Sequence, residues 1–596
     1  LILIPSKNGK LFELNATYRN ARRAVEEALK KAETEKGLER INKYLHLCCC
    51  PECQGSRYNA KALSSLLGGK NIAEVSSMTL DELLAWITQI PNKVPESMRV
   101  MADSLVKEFC NSAQRLIELG IGYLSLDRSA TTLSTGERQR MQLARAVRNR
   151  TTGMLYVLDE PSIGLHPSNV EGLLGVMQDL ISDGNSVVFV DHDIQVLRAA
   201  DYLIEMGPGA GYNGGNIVAL GNVDAIKNNR SSIIGRFLAG TEQTIIRDSI
   251  PEGHIFDNGY INIKTDRLHT VQPIDVDIPC GRLIAVTGVS GSGKTTLVLE
   301  ELIPALEAQI SERPLPASIK AVTNKTIQKI HLIDASPIGI NVRSTVATYS
   351  NILDDLRKIF ASLPQSKEKG YKAADFSYNT GILRCKTCDG TGQISMDMQF
   401  LPDVDMVCPE CKGSRYDKSV EALKFHPDKK TNEQGVSLSG IMGLTVEQAL
   451  KLFAGNKKIY EKLNLLNNLG LGYLTLGEST PALSGGEAQR LKLASEMDKP
   501  QNDALFVFDE PSIGLHPSDI RVLLMVFDRL VRNGATVMVI EHDLDIIANA
   551  DYVIDMGPGG GEYGGRIVAA GTPQQIMANP ESITGKYLSF ELSKRK

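Results

Sequence analysis

The chain repeats itself. The ten residues DEPSIGLHPS begin at residue 159 and begin again, unchanged, 350 residues later at residue 509. Other blocks recur with the same spacing, among them LGIGYLSL at 119, which returns as LGLGYLTL at 469. Chance does not keep several blocks in one register, so we interpret the chain as a tandem duplication of one folding unit. The fold must therefore contain two similar units joined in sequence.

Each copy alternates short apolar runs with amphipathic segments. MLYVLDE at 154 and ALFVFDE at 504 are typical of buried parallel strands, and GERQRMQLARAVRN at 136 is typical of a helix. This alternation predicts an α/β fold built on parallel sheets. A polar stretch over 225–260 places the boundary near residue 245. We expect residues 1–245 to be the later part of a first copy and residues 246–596 to be a complete second copy.

Composition excludes several classes of protein. A chain of 596 residues is too long for one core, and its 42% hydrophobic and 23% charged residues are ordinary for a soluble protein. No apolar run approaches the roughly 18 to 20 residues that cross a bilayer, and LILIP has no cationic leader. We therefore expect a cytoplasmic protein without a membrane partner. The net charge of −5 means that any nucleic-acid contact needs a local basic patch.

The clearest chemical motif is GVSGSGKT at 288–295, directly after the apolar run RLIAVT. It fits the G-x-x-x-x-G-K-[ST] pattern, whose backbone N–H groups and lysine bind phosphates and whose hydroxyl binds Mg²⁺. A glycine-rich turn without a ligand accounts less well for the strand before the motif and the helical pattern after it. We predict that ATP and Mg²⁺ are bound by Gly288, Ser290, Gly291, Ser292, Gly293, Lys294, Thr295 and Thr296.

Both copies end an apolar strand in two acidic residues. An acidic strand end is usually only a solvated cap, but a P-loop in the same copy favours a magnesium ligand at Asp509 and a water-activating base at Glu510. His542 follows the next apolar strand and is a candidate sensor of the terminal phosphate, although a lone histidine is more often structural. The predicted catalytic residues are Lys294, Asp509, Glu510 and His542, and the first copy retains Asp159, Glu160 and His192.

LSTGERQR at 133 and LSGGEAQR at 483 place a serine and glycine at the start of an amphipathic helix, where free amides can bind an anion. Alone, each segment is only a capped helix. Together with the P-loop they resemble the signature sequence of ATP-binding-cassette ATPases, in which one unit's P-loop faces the other unit's signature. The resemblance implies that Ser134, Gly136 and Glu137 close the ATP site and that Ser484, Gly485 and Gly486 are remnants of a second site.

Most of the cysteines lie in two short stretches. CKTC at 385–388 and CPEC at 408–411 are separated by 19 residues, a spacing typical of a four-cysteine zinc site. Cys50 and Cys53 repeat the second pair, but no partner CxxC pair accompanies them as 385–388 accompanies 408–411. His46, Cys48 and Cys49 are candidate further ligands there, and thiols without a metal are an equal alternative. We predict that Zn²⁺ is bound by Cys385, Cys388, Cys408 and Cys411.

The zinc module over 385–411 has a basic rim, although acidic neighbours dilute its charge. Between its cysteine pairs, QISMDMQF at 393–400 alternates apolar and polar residues as a half-exposed strand does. We predict a hairpin that presses on DNA, with packing on the protein as the alternative. The candidate DNA-binding residues are Arg384, Lys386, Lys412, Arg415 and Lys418.

Zinc modules inside a cassette ATPase narrow the family further. ILRCKTCDGTGQISMDMQFLPDVDMVCPECKGSRY, together with HLIDASPIGINVRSTVATYSNILDDLRKIF and DEPSIGLHP, resembles the UvrA family of bacterial nucleotide excision repair. The resemblance covers nearly the whole chain from residue 37 onward. It implies a cytoplasmic, homodimeric ATPase that recognises damaged double-stranded DNA and loads a UvrB-like partner.

The chain departs from the family pattern at several places. A first-copy P-loop 350 residues before Gly288 would precede Leu1, so we expect a short or N-terminally truncated member without the UvrB-binding region. Thr135 replaces a signature glycine, and Ala335 stands where the family has Gln. These changes leave open a slowly hydrolysing, ATP-gated scaffold on DNA. A relative that displaces DNA-binding drugs without excision is another alternative, and the zinc modules argue against a transporter ATPase.

Overall fold

The computed structural model describes residues 50–133, 135–148, 152–209, 214–242, 244–334, 338, 341–396, 404–427, 435–497 and 501–594, with two short strands before residue 50. Packing divides the chain into two compact units, Leu1–Ser77 and Met78–Lys596. In the smaller unit, the two strands pair antiparallel. Its elements are β1 (Ile2–Pro5), β2 (Leu11–Leu14), α1 (Ala60–Leu63) and α2 (Ile72–Ser77).

The larger unit begins with the first copy of the duplication. Its first helix has a reciprocal cap, in which the Thr79 hydroxyl accepts from the Glu82 N–H and the Glu82 carboxylate accepts from the Thr79 N–H. Trp86 on the same helix is buried. The elements are α3 (Leu80–Ile87), α4 (Glu96–Glu118), α5 (Thr135–Arg148), β3 (Leu155–Asp159), α6 (Pro167–Ser182), β4 (Ser186–Val190), α7 (Ile194–Arg198), β5 (Leu203–Gly207), β6 (Asn216–Gly221), α8 (Val223–Asn228) and α9 (Ile234–Leu238).

The later part of the second copy repeats this order of elements, and further strands and a large insertion precede it. The elements are β7 (Tyr260–Thr265), β8 (Asp275–Pro279), β9 (Leu283–Gly288), α10 (Ile303–Ile310), β10 (Ile319–Thr323), β11 (Lys329–Ile333), α11 (Val346–Tyr349), α12 (Ile352–Ser362), α13 (Pro364–Glu368), β12 (Gln393–Met396), β13 (Val404–Val407), α14 (Leu438–Met442), α15 (Val446–Leu452), α16 (Lys457–Leu466), α17 (Gly485–Met497), β14 (Ala504–Asp509), α18 (Pro517–Arg532), β15 (Thr536–Ile540), α19 (Leu544–Ala548), β16 (Tyr552–Gly557), β17 (Arg566–Gly571), α20 (Pro573–Ala578) and α21 (Ile583–Lys594). Residues 296–302 and 467–471 form π-helical turns.

The main sheet of the second copy brings its motifs to one edge. The strand order is β11-β14-β15-β9-β16-β17, and every neighbouring pair is parallel except β16 with β17. Because parallel strands end at the same edge, the P-loop after β9 and the segments after β14 and β15 lie together there. The predicted α/β fold is confirmed. The helices and the zinc module over 334–503 are inserted between the adjacent strands β11 and β14.

Strand β9 separates two hydrophobic cores. Leu283 and Ala285 belong to a core formed with the inserted helices, whereas Ile284 and Val286 belong to a core with β7, β8 and β10. Successive side chains of a strand point to opposite faces, so the strand is buried on both sides. This explains why all its residues are apolar or small up to Gly288.

The first copy has a different sheet arrangement. Among the described residues, β3 pairs only with β4, in parallel, and β5 pairs only with β6, antiparallel. One face of β3 and β4 packs on α6 through Tyr156 and Phe189. The opposite face is open, and Val157 is 68% exposed while its counterpart Val507 is fully buried.

No helix in the described ranges combines the length and hydrophobicity that a membrane crossing requires.

Candidate composite nucleotide site and metal centre

The P-loop is a close-packed turn that requires glycine. Gly288 has a φ of 133°, and a Cβ built there would lie 1.9 Å from the carbonyl oxygen of Met556. Because β16 lies directly beside the end of β9, no larger residue fits at this position.

Lys294 lies inside the turn. It is 6% exposed, and its Nζ donates to the carbonyls of Gly288 at 2.9 Å and Val289 at 3.0 Å. Burial lowers its pKa to about 8, against the raising effect of Glu510 first and then of other carboxylates. The buried hydroxyls of Ser290 and Ser292 have no hydrogen-bond partner among the described residues. A lysine and unpartnered hydroxyl donors in one loop fit the phosphates of a nucleotide.

Asp509, Glu510 and His542 meet at the sheet edge beside the P-loop. The Nε2 of His542 is 3.7 Å from the Oε1 of Glu510. Burial, followed by the charge of Glu510, raises the pKa of Asp509 to about 7. Burial lowers the pKa of His542 well below its usual range, so the imidazole is neutral at physiological pH. Thr295 is exposed at the start of the turn over 296–302, where its hydroxyl is accessible.

The first copy covers this P-loop directly. A Cβ on Gly291 would lie 2.7 Å from the ring of Tyr123, so the tyrosine packs on the turn. The Tyr123 hydroxyl donates to the Glu137 carboxylate at 2.5 Å, and Glu137 lies in the first turn of α5. The signature segment of one copy therefore faces the P-loop of the other, as the cassette resemblance implies.

Arg140 on the same helix interacts electrostatically with Glu510 of the second copy. It is 5% exposed, with Nε donating to the Gly136 carbonyl at 3.1 Å and Nη1 donating to the Leu119 carbonyl at 3.3 Å. Burial lowers the pKa of Arg140 and raises the pKa of Glu510. The negative charge of Glu510 opposes the first shift, and the positive charge of Arg140 opposes the second. Ser134, Ala335 and the side chain of Thr135 lie outside the described residues.

The other copy-to-copy junction has a matching geometry. His192 Nε2 is 3.8 Å from Glu160 Oε1, and a Cβ on Gly514 would lie 3.2 Å from that carboxylate. In return, a Cβ on Gly164 would lie 3.3 Å from Glu510. A cavity of about 150 Å³ lies between the two acidic strand ends.

The second signature has its helix but no P-loop beside it among the described residues. The N–H of Ser484 donates to the Glu487 carboxylate at 2.7 Å, and Tyr473 donates to the same residue. Gly485 and Gly486 begin α17. Asp159 ends β3, and its carbonyl accepts from Gln139.

The four predicted zinc ligands form one buried cluster. Their Sγ atoms all lie within 4.8 Å of one another. Cys385 is 4.0 Å from Cys408 and Cys388 is 3.6 Å from Cys411, sulfur to sulfur. Tetrahedral zinc with Zn–S bonds of ~2.3 Å places its sulfurs ~3.8 Å apart, so these residues fit the ion. Gly392 N–H donates to the Cys388 sulfur at 3.3 Å, which favours a thiolate.

Cys50 and Cys53 lie in the unit Leu1–Ser77. Cys50 is exposed, and hydrogen bonds from the backbone N–H groups of Cys53 and Glu52 lower its pKa. His46, Cys48 and Cys49 lie outside the described residues, so a metal site here stays a prediction.

The predicted basic rim separates into three kinds of residue. Lys386 and Lys412 are exposed. Arg384 pairs with Asp389 at 2.9 Å, and Lys418 pairs with Glu410 at 2.8 Å. Arg415 differs, because it is 6% exposed and donates to the carbonyls of Val342 at 2.8 Å and Gly477 at 3.4 Å. Its guanidinium therefore joins the zinc module to the inserted helices and is not available on the surface.

The segment between the cysteine pairs begins and ends as the predicted hairpin. Strands β12 and β13 pair antiparallel, with Ile394 opposite Met406. Ile394 packs on the cysteine cluster, and Met406 is exposed. Residues 397–403, including Met398 and Phe400, lie outside the described residues, and the contact with DNA stays a prediction.

Sequence reasoning assigned no role to Tyr123 or Arg140. Both lie in blocks that recur 350 residues later, as Tyr473 and Arg490. Their recurrence beside each signature was the signal that could have identified them.

The chain is similar in sequence and in structure to known proteins. A search of protein-family models returns no match. The chain is 41% identical over 579 residues to UvrABC system protein A of Aquifex aeolicus, covering 96% of this chain and 61% of that protein. It is 39% identical over 591 residues to UvrABC system protein A of Bacillus subtilis, covering 99% and 60%.

The solved structure of UvrA2 from Deinococcus radiodurans matches with a TM-score of 0.85 and 36% identity, over 96% of this chain and 70% of that one. The chain spans about 60% of the length of the curated relatives. This structural match, at that identity and coverage, confirms the tandem cassette architecture with its inserted modules. The chain belongs to the UvrA family.

Proposed function

We propose that the chain is an ATPase of UvrABC-type excision repair, which binds ATP between its two copies and couples hydrolysis to the recognition of damaged double-stranded DNA. The packing of Tyr123 on Gly291 supports this most directly, because the same tyrosine donates to Glu137 in the signature helix of the first copy. A nucleotide held there would contact both copies, so its binding and loss can change how they fit together.

The residues of this junction suit hydrolysis. Lys294 provides a cation and Ser290 and Ser292 provide donors to the phosphates, while Thr295 and Asp509 would hold Mg²⁺. When bound, Mg²⁺ supplies charge neutralisation for the transferring phosphoryl group. Glu510 is the candidate base that takes a proton from the attacking water; burial raises the pKa of its carboxyl group, and the charges of Lys294 and Arg140 oppose that shift. The neutral His542 lies beside Glu510, with its Nε2 3.7 Å from the Oε1 of the carboxylate.

The DNA-binding part of the proposal rests on the zinc module. The exposed cations Lys386 and Lys412 and the exposed Met406 lie on one small module that the zinc holds closed. Cations that contact phosphates position a protein without reading sequence, which suits recognition of distorted duplex. We propose a cytoplasmic homodimer that hands DNA to a UvrB-like partner.

The test is the rate of ATP hydrolysis alone, with an intact duplex, and with the same duplex carrying one bulky adduct. We expect hydrolysis to respond more strongly to the damaged duplex than to the intact one. A protein that binds ATP and DNA without hydrolysis would be a gated scaffold, contrary to the proposal. Capture of purified UvrB separates excision repair from a relative that only displaces DNA-binding drugs.

A further inference from the structure

His166 lies in the DEPSIGLHPS block of the first copy and is completely buried. It caps α6, because its Nδ1 accepts from the backbone N–H of Ser168 at 3.2 Å. A backbone N–H can only donate, so Nδ1 carries no proton and the proton of the neutral ring is on Nε2.

The Nε2 of His166 faces the second copy. It lies 3.1 Å from the hydroxyl of Thr584 on α21, and that hydroxyl donates to Asp555 Oδ1 at 2.9 Å. Ser582 donates to the other oxygen of Asp555 at 2.6 Å. The direction of these hydrogen bonds is therefore fixed: His166 donates to Thr584, and Thr584 donates to a carboxylate. All three members are buried.

The His166 ring also contacts the candidate catalytic site. It packs edge-on against the ring of His542, with centroids 5.8 Å apart and planes at 81°. His542 in turn lies 3.7 Å from Glu510. Burial lowers the pKa of His166 to about 3, so the ring brings no charge to the site. Its effect on His542 is one of position.

The counterpart histidine of the second copy has only part of this arrangement. His516 caps α18 in the same way, with Nδ1 accepting from Ser518, and its ring is 6.2 Å from that of His192. However, Ile234 stands where Thr584 stands in the other copy, and Phe237 packs edge-on against His516. In the described part of the chain, the hydrogen-bonded relay is present only beside the P-loop.

We propose that His166 is a positioning residue for ATP hydrolysis, acting across the two copies. Asp555 and Thr584 hold its ring in one orientation, and the ring holds His542 against Glu510. The proposal rests on the proposed ATPase activity of this site. Through His166, helix α21 is linked to the candidate catalytic residues.

The test compares Thr584→Val with Thr584→Ser in the full chain. Valine keeps the shape and removes the hydroxyl, so we expect kcat to fall by up to about 10²-fold, the scale of loss when a remote change misplaces a catalytic group. The affinity for ATP should not change, since Thr584 lies outside the P-loop. Serine restores the hydroxyl and should restore kcat. Ile234→Val is the matched control at the equivalent position of the other copy, and it should leave kcat unchanged.

Equal kcat in Thr584→Val and the unmutated protein would overturn the proposal, as would parallel losses of kcat, ATP affinity and thermal stability that serine does not restore. Histidine ¹⁵N NMR of the nucleotide-free protein gives a second readout that does not need turnover. We expect the His166 Nε2–H to be protected in the unmutated protein. The ring signals of His542 should shift in Thr584→Val and should not shift in Thr584→Ser. If the protein does not hydrolyse ATP, the ATPase proposal fails, while unchanged His542 signals would overturn the relay itself.

Discussion

The two copies contain the same ten residues, DEPSIGLHPS, and yet the histidine of that block has different surroundings in each. His166 donates to Thr584, whereas His516 packs against Phe237. The cap that each histidine gives its helix is the same, because a cap depends on neighbours in sequence. The outer contacts of each histidine ring come from the other copy. Duplication therefore preserves local structure, and divergence of the facing surface makes one junction different from the other.

The strands show the same contrast on a larger scale. Val157 and Val507 have equivalent positions, but only Val507 lies under a neighbouring layer. The single P-loop lies on the side with the complete sheet. We expect chemistry and stability to be concentrated on that side, and each pair of equivalent residues offers an internal control.

The largest difference should come from the two glutamates that follow the equivalent strands. Glu510→Gln removes the candidate base beside the P-loop, and hydrolysis should fall by roughly 10² to 10⁴, the usual contribution of general base catalysis. Glu160→Gln should cost far less, because no P-loop lies beside it among the described residues. Steady-state hydrolysis and ATP binding measure both. Equal losses in the two variants would show that the copies do not differ in this way.

The cysteine pairs provide the next comparison. Changing Cys385 and Cys388 to Ser should remove about one zinc ion per chain, because two thiolates do not hold a closed tetrahedral site. The module should then unfold, because metal binding supplies the free energy that folds a small module of this kind. Metal analysis and limited proteolysis measure the result, and an unchanged zinc content would contradict it. Changing Cys50 and Cys53 decides between a second metal site and free thiols.

Much of this could be predicted from the chain alone, for reasons that are local. The P-loop, the acidic strand ends and the cysteine pairs are short patterns whose chemistry depends on close sequence neighbours, and the structure brings each set together. Arg415 could not be placed correctly, because a basic residue close to the exposed Lys412 suggests a surface position, while its hydrogen bonds go to Val342 and Gly477. Tyr123 and His166 contact the other copy. The residue pattern of one segment does not indicate which distant residues pack against it.

A pair of valines tests the difference in burial. Val507→Thr places a hydroxyl in a dry core and should lower the free energy of unfolding by about 1 to 3 kcal/mol. Val157→Thr changes a side chain that is 68% exposed and should cost no more than about 0.5 kcal/mol. Chemical denaturation measures both values. Similar costs at the two sites would mean that the open face of the first copy is covered in solution.

Asp509, which ends β14, also predicts a pH effect at the candidate nucleotide site. Because the pKa of Asp509 is about 7, its carboxylate is mostly protonated at pH 6 and mostly ionised at pH 8. Mg²⁺ competes with that proton, so the affinity for Mg²⁺ should rise by about tenfold over this range. In the metal-free protein, folding stability changes with pH in the opposite direction to Mg²⁺ affinity. The folded state binds the extra proton, so stability falls as pH rises from about 4 to about 7. Asp509→Asn should abolish the Mg²⁺ trend and weaken the stability trend, in titrations followed by nucleotide binding and thermal unfolding; part of the stability trend should remain, because burial also raises the pKa of Glu510 and Glu541.

The smallest expected difference is between the two tyrosines that bind the signature helices. Tyr123→Phe keeps the ring on Gly291 and removes the hydrogen bond to Glu137, so the ring is held less firmly over the P-loop. A hydrogen bond contributes about 1 kcal/mol, which corresponds to roughly a fivefold weaker binding of ATP. Tyr473→Phe removes the equivalent bond to Glu487, where no P-loop is packed on the ring in the described residues. Its effect on ATP affinity should therefore be much smaller. Calorimetric titration with a non-hydrolysable ATP analogue measures both, and equal weakening would mean that the tyrosines act through general stability, with no direct cover of the nucleotide by the first copy.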